Sequence, residues 1–503
     1  MSPRIFIVAL MLASTASPVT LTIDATREFQ TIDGFGAHGG RDNWWHNGPH
    51  YTDEFGSLII DDLGLTITRN EFYPDNGEQG KQYPFFRSMK AKAEASGEPL
   101  KFMATVWSPP ARMKTNNSTS GGGELKTDMY DDYADYLVAY IRDLKTQCGV
   151  DLYAMGLQNE LAFVEPYNSC VYTPVQFRDL AKIAGTRFRQ AGVSTMLLGP
   201  EDMAAGGVGL YMKALCDDPD AKEAMGVLAV HGYGSDGATP GANSTQIWGG
   251  LGRLAQKCGK PLWMTETSGY GLDWNGVMDL AKSIYVALKY GNLAAWVWWS
   301  LGEFGGGEGY SLVDEGQPTR LFYASKHFYR YIRPDAKRIH CAVDDSASVL
   351  ACAFQHRAQK TMTVILINIS SSQKQVSVTG DHLPSSFSVY QSTSSENCQR
   401  KTTVSGAITL PGRSLVTLYG ENFTPPDPSS AVHAIHGRLP ATVQAGHGVV
   451  ELYTLKGERV SRRFGDAAEI IGDVRGNCRR DTRGALVLKV TVHGMAYHAG
   501  IMR

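Results

Sequence analysis

Cysteine is scarce in this chain, eight among 503 residues, and no two stand in a C-x-x-C spacing. That gives no footing for a zinc site, and no metal or other cofactor is expected. Charge of one sign is also missing: 48 basic residues against 50 acidic ones leave a net charge of −2. Nothing at the level of the whole chain therefore points to nucleic acid or to a membrane surface. Beyond the N-terminus no apolar run is long enough to cross a bilayer, so no transmembrane segment is expected. No internal repeat is visible.

What is present describes a large globular protein. Apolar residues make up 43% and charged residues 19%, enough for a sizeable core. The length exceeds one ordinary domain. The N-terminus, MSPRIFIVALMLASTAS, reads as a signal peptide over residues 1–16. Arg4 supplies the positive region, Ile5 to Ala13 the apolar segment and Ser14-Thr15-Ala16 the small-residue cleavage site. Secretion is expected, and an oxidising destination permits disulfides. Cys341 and Cys352 flank the polar turn DDSAS, and read either as a cross-strand disulfide or as two buried free thiols.

Over residues 33–334, eight short apolar runs alternate with amphipathic stretches: DGFGA, LTITRNEF, KFMATVW, LYAMGLQNE, TMLLGPED, VLAVHGY, PLWMTE and AAWVWWS. The stretch DMYDDYADYLVAYIRDLKTQ places Tyr133, Leu137, Tyr140, Ile141 and Leu144 on one helical face. Another helix should start at Thr173-Pro174, with Gln176 completing a capping box. Strands alternating with helices imply a parallel sheet, and eight of them an α/β fold of the (β/α)8 TIM barrel type. From 335 to 421 the period changes to two, which predicts an antiparallel β-sandwich, joined by a strand from residues 17–32. A proline-rich linker, 422–432, leads to a small β module, 433–503. Its arginines read either as a solvated face or as contacts to a cell-surface or secretion partner.

Glu160 and Glu266 are each the first acid after an apolar run. A barrel delivers catalytic groups at the C-terminal ends of its strands. Two carboxylates facing one pocket are what glycosidic bond cleavage needs. Glu160 is the candidate acid/base; Asn159 beside it can bind a sugar 2-hydroxyl. Glu266 is the candidate nucleophile, with Arg69 as a donor favouring its ionised form. Trp107, His231, Tyr233, Trp298 and Trp299 also end apolar runs, and of these Trp107, His231, Tyr233 and Trp299 would line a sugar cleft. Of the adjacent pair, Trp299 is expected at the mouth and Trp298 in the core, because neighbours on a strand face opposite ways.

IDGFGA, VWSPPARMKTNN, LYAMGLQNE, VHGYG, LWMTE and WVWWS together resemble glycoside hydrolase family 30 over roughly residues 22 to 420. The resemblance implies a retaining enzyme with Glu160 as acid/base and Glu266 as nucleophile. VWSPPARMKTNN and YNSCVYTPVQF most resemble the bacterial xylanase branch, whose glucuronoxylan-specific members bind a glucuronate branch with an arginine after the eighth strand. Here that loop, LGEFGGGEGYSLVDEGQP, has no arginine but carries Glu303, Glu308, Asp314 and Glu315. QNEL also stands where QNEP is commoner. The expectation is an endo-xylanase without strict dependence on glucuronate, its partner a polysaccharide or oligosaccharide substrate. Alternatives are a β-1,6-glucanase, a β-1,6-galactanase or a glucosylceramidase-like enzyme, and, from another class, a catalytically silent carbohydrate-binding protein.

Overall fold

A computed structural model describes residues 18–41, 51–74, 78–233, 242–303 and 310–426, together with four strands between 447 and 501. The expected signal peptide lies outside the described residues, as does most of the linker.

All eight apolar runs form strands of one closed parallel barrel. After the N-terminal strand β1 (Val19–Thr31) come β2 (Gly34–His38), β3 (Ile67–Phe72), β4 (Lys101–Val106), β5 (Leu152–Gly156), β6 (Met196–Pro200), β7 (Met225–His231), β8 (Leu262–Glu266) and β9 (Ala295–Trp298). Closure is by β2 on β9, with Gly34 opposite Ala295. Three two-residue strands follow: β10 (Gly302–Glu303), β11 (Val313–Asp314) and β12 (Gln317–Pro318).

Alternation along each strand decides what faces inward. Ile67, Met103, Ala154, Leu198, Ala229 and Val297 form an apolar cluster of their own, the packed interior of a barrel of this size. Two residues further along the same strands stand Arg69, Thr105, Gly156, His231 and Trp299, which therefore reach the mouth. Trp298 belongs to the second cluster, shared with the surrounding helices, as expected for the outward neighbour of Trp299.

The helices are legible in the same way. Helix Tyr130–Cys148 buries Tyr133, Leu137, Tyr140, Ile141 and Leu144 and ends at Gly149 (φ 67°), a left-handed cap that glycine adopts without penalty. Helix Pro174–Ala191 has the expected capping box, with Gln176 N–H donating to Thr173 Oγ1 (3.2 Å) and Thr173 N–H to Gln176 Oε1 (2.7 Å). Among the described residues no helix is long and apolar enough to cross a membrane.

The sandwich is built from β13 (Lys337–Val343), β14 (Val349–His356), β15 (Thr361–Asn368), β16 (Lys374–Asp381), β17 (Ser388–Thr393), β18 (Glu396–Arg400), β19 (Ala407–Leu410) and β20 (Ser414–Gly420). β1 joins between β13 and β16. Ile365, Ile367 and Leu415 share the apolar cluster of barrel helix Trp274–Tyr290, so burial ties sandwich to barrel. The last residues form a separate antiparallel sheet of β21 (His447–Thr454), β22 (Arg459–Asp466), β23 (Leu486–Val492) and β24 (Met495–Ile501), in the order β22-β21-β23-β24.

Cys341 and Cys352 are both buried and free. The hairpin register pairs Ile339 with Ala353. It thus carries Cys341 to Ala351, whose carbonyl its thiol meets at 3.4 Å, one residue short of Cys352. The disulfide of the described residues is instead Cys216–Cys258, with a sequence separation of 42. A loop of that length is worth about 4 kcal/mol in lost unfolded-state entropy.

Candidate active site

The two glutamates singled out from the sequence meet at the C-terminal mouth of the barrel. One carboxylate oxygen from each, with a ring nitrogen of His231, lie within 4.8 Å of one another. Glu160 and Glu266 are both 7% exposed, so each keeps an edge towards the cleft. Glu160 follows β5 with φ 47°, a left-handed backbone that a non-glycine residue adopts at a cost. The turn is secured by Glu160 N–H to the Glu201 carbonyl (2.9 Å) and Asn159 N–H to the Val106 carbonyl (2.7 Å).

Arg69 is the hub beneath them. Its guanidinium is fully buried; Nη1 donates to Glu266 Oε2, and Nη2 to Asn159 Oδ1 at 2.8 Å. Nη2 also lies 3.3 Å from Glu201 Oε1. The second oxygen of Glu266 accepts from the Tyr233 hydroxyl at 2.8 Å. A guanidinium presents several donors in one plane and so suits several carboxylates at once. Because Asn159 uses its Oδ1 on Arg69, the group it retains for a sugar hydroxyl is its amide NH2.

His231 sits under both acids rather than on the cleft wall. Expected to touch substrate, it has no exposed surface. Its Nδ1 lies 3.1 Å from Glu160 Oε1, and its Nε2 lies 3.8 Å from Glu201 and 3.9 Å from Glu266. Burial works against its charge, but Glu266, Glu160 and Glu201 outweigh it and raise the imidazole to about 9. Arg69, likewise expected among the substrate contacts, is also enclosed and reaches a sugar only through Glu266 and Asn159.

The aromatic wall comprises Trp107, buried with Arg69 4.8 Å from its ring centroid, and Trp299, half-buried at 6.1 Å from it. His38 stacks on Trp299 at 4.0 Å. The loop expected to repel a carboxylated branch is described only in part: Asp314 and Glu315 lie within the described residues, Glu308 and the side chain of Glu303 outside them.

Several site groups went unrecognised in the sequence. Glu201 ends the fifth apolar run and was a strand-end acid like the chosen two. It is wholly enclosed, accepts from Thr105 Oγ1 at 2.9 Å, and is held below the ordinary carboxylate range because Arg69 and His231 outweigh its burial. A Cβ at Gly156 would lie 2.0 Å from its Oε2, so only glycine leaves room for this acid. Arg41 lies 5.3 Å from the Trp299 ring centroid and pairs with Glu71 at 2.6 Å. Glu71 stands two residues after Arg69 on β3, a spacing that alternation reads as the same face. Against its burial, Arg41 and His38 hold Glu71 at about 2. Past Glu160 the chain exposes Phe163, Val164 and Tyr167 and buries Glu165 beside Glu160.

Residues 77–331 match the glycosyl hydrolase family 30 TIM-barrel domain, and 335–418 match the glycosyl hydrolase family 30 beta sandwich domain. The chain belongs to glycosyl hydrolase family 30. It is therefore an O-glycoside hydrolase. Glucuronoxylanase XynC of Bacillus subtilis (strain 168) is 26% identical over 444 residues, which cover 83% of this chain and 91% of that protein. Putative glucosylceramidase 3 of Caenorhabditis elegans is 23% identical over 413 residues, 70% of this chain and 77% of that one. Among solved structures, the family 30 subfamily 8 xylanase Xyn30A of Clostridium acetobutylicum superposes with a TM-score of 0.69 at 24% identity. It covers 80% of this chain and 99% of the other.

Proposed function

We propose that this protein is a secreted, retaining endo-β-xylanase that works by double displacement, with Glu160 as acid/base and Glu266 as nucleophile. The observation that carries the mechanism is that one oxygen of Glu160 lies within 4.8 Å of one oxygen of Glu266, a close approach that suits a retaining pair better than an inverting one. Retaining enzymes hold their carboxyls roughly 5–5.5 Å apart, whereas inverting ones need about 6.5–9.5 Å to seat a water between them. In the first step Glu160 protonates the glycosidic oxygen as that oxygen leaves, and Glu266 bonds to the anomeric carbon. In the second, Glu160 takes a proton from water as the water oxygen displaces Glu266. Arg69 and Tyr233 hold the nucleophile in line. Asn159 offers its amide to the 2-hydroxyl, and Trp107 and Trp299 shape the sugar-binding wall.

Similarity to a glucuronoxylanase supports xylan as substrate. The arginine-free, acidic loop after β9 argues against an absolute need for a glucuronate branch, because its carboxylates would repel one. A glucosyl substrate is the second reading, favoured by the likeness to a putative glucosylceramidase. Product analysis on linear xylan, glucuronoxylan, β-1,6-glucan and glucosylceramide separates them. Both xylans should be cleaved internally, at rates within about tenfold of each other. Turnover of only the glucan or the lipid would overturn the assignment.

A further inference from the structure

The proposed mechanism, on which this inference rests, asks Glu160 to hold a proton until the leaving oxygen takes it. Its immediate surroundings work against that. Burial pushes its carboxyl up, but the hydrogen bond and charge of His231, with a hydrogen bond from Glu165, outweigh burial and hold Glu160 below its ordinary value, so a proton shared by the pair rests on Glu165. A carboxyl held there with no neighbouring store of protons would be ionised at neutral pH.

We propose that Glu165 is the proton partner of Glu160: the two carboxyl groups share one proton across a carboxyl–carboxylate hydrogen bond, which keeps Glu160 supplied with the proton the first step consumes. Glu165 is 1% exposed, and among the described residues neither of its carboxylate oxygens meets an N–H or O–H donor. The neighbour whose carboxyl acts on it most is Glu160. An ionised carboxylate buried without donors is costly, and two in contact cannot both ionise readily. One proton between them removes both penalties.

The backbone is built to hold this contact. Phe163 N–H donates to the Glu160 carbonyl (2.9 Å), and the Glu165 carbonyl accepts from Gly121 N–H (3.0 Å). Glu165 N–H donates to Ser169 Oγ at 3.2 Å. Lys114, itself buried, pins the same loop by donating to Ser108 Oγ and to the carbonyls of Thr119 and Ser169. Burial first, and then the contact with Glu160, push Glu165 up to about 9. The charged and titratable groups around the pair are Tyr167 on its own loop, Glu201 and Asp202 after β6, and His231 and Tyr233 from β7. Glu266 faces it from β8, Arg69 from β3 and Arg41 from the loop after β2.

The proton count closes. As the bond from the anomeric carbon to the leaving oxygen breaks, its electron pair goes to that oxygen, which takes the shared proton from Glu160. Glu266 loses its negative charge by forming the ester, so the second charge on the Glu160–Glu165 pair leaves the local total unchanged. Water then returns a proton to Glu160 as it releases Glu266. Glu165 touches no substrate in this scheme; it is a positioning residue acting through Glu160.

The test is kcat/KM against pH for wild type and Glu165→Gln on two aryl xylobiosides, one with an acidic phenol that needs no proton to leave and one with a weakly acidic phenol. Glutamine cannot share a proton, and its amide would donate to ionised Glu160. The alkaline limb should move down by more than about two pH units. The loss should grow with pH, reach about 10- to 100-fold near neutrality, and appear only with the weakly acidic phenol. A wild-type profile, or a loss equal at every pH and with both phenols, would overturn the proposal. Carbon-13 carboxyl resonances of wild type give an answer that does not depend on the variant folding: a glutamate titrating near pH 9 is expected, and its absence is contrary. Glu160→Gln on the same two substrates tests the underlying reading separately. If that variant keeps its rate on the weakly acidic phenol, Glu160 is not the acid, whatever Glu165 does.

Discussion

Glu266→Gln is expected to lower kcat by at least about 10⁴-fold while the far-ultraviolet circular dichroism and melting temperature stay close to wild type. The carboxylate has two partners, Arg69 Nη1 at one oxygen and the Tyr233 hydroxyl at the other. An amide can satisfy both, its oxygen accepting from Arg69 and its NH2 donating to the tyrosine oxygen. Shape and hydrogen bonds survive; the anionic oxygen that must bond to the anomeric carbon does not. Small external nucleophiles sharpen the test. With Glu266→Ala, azide should enter from the vacated side and give an α-glycosyl azide. A variant that turns over at the wild-type rate would remove Glu266 from the chemistry.

Arg69→Met should be the most damaging change among the supporting groups. The arginine is fully buried, and its removal leaves Glu201 and Glu266 in a dry site with His231 as the adjacent cation. Removing one partner of a buried ion pair costs about 3–5 kcal/mol, and unfolding in urea should show a loss of that size. Activity should fall at least about 100-fold, because the donor that orients the nucleophile is gone. Arg69→Lys should recover part of the stability and little of the rate, since an ammonium group cannot hold Glu266 and Asn159 in one plane. Wild-type stability in Arg69→Met would mean that Glu201 is neutral in the folded protein, contrary to the electrostatics described above.

Much of this arrangement was legible from strand ends. An inward residue every second position puts Arg69, His231 and Trp299 at the mouth and sends Trp298 to the helices. The same rule, pressed further, would have found Glu71 from Arg69. What spacing could not rank was depth. Glu160, Glu201 and Glu266 all end apolar runs, yet Glu201 is sealed behind Arg69 and the other two keep an open edge. That difference comes from the close approach at Gly156, which only three dimensions display. Glu165 was hidden for another reason: its neighbourhood depends on how a loop folds back, and loops have no periodicity to read. The short strand β18, ENCQR, is too polar to register as a sheet element. Cys216 and Cys258 stand in separate helices, where no hairpin argument reaches.

The anomer released first decides whether the carboxylates act as described. Following xylo-oligosaccharide cleavage by proton NMR, faster than mutarotation, should show the β-anomer appearing first and the α-anomer growing in later. An α-anomer formed first would mean a single inverting displacement, and the covalent role given to Glu266 would be wrong.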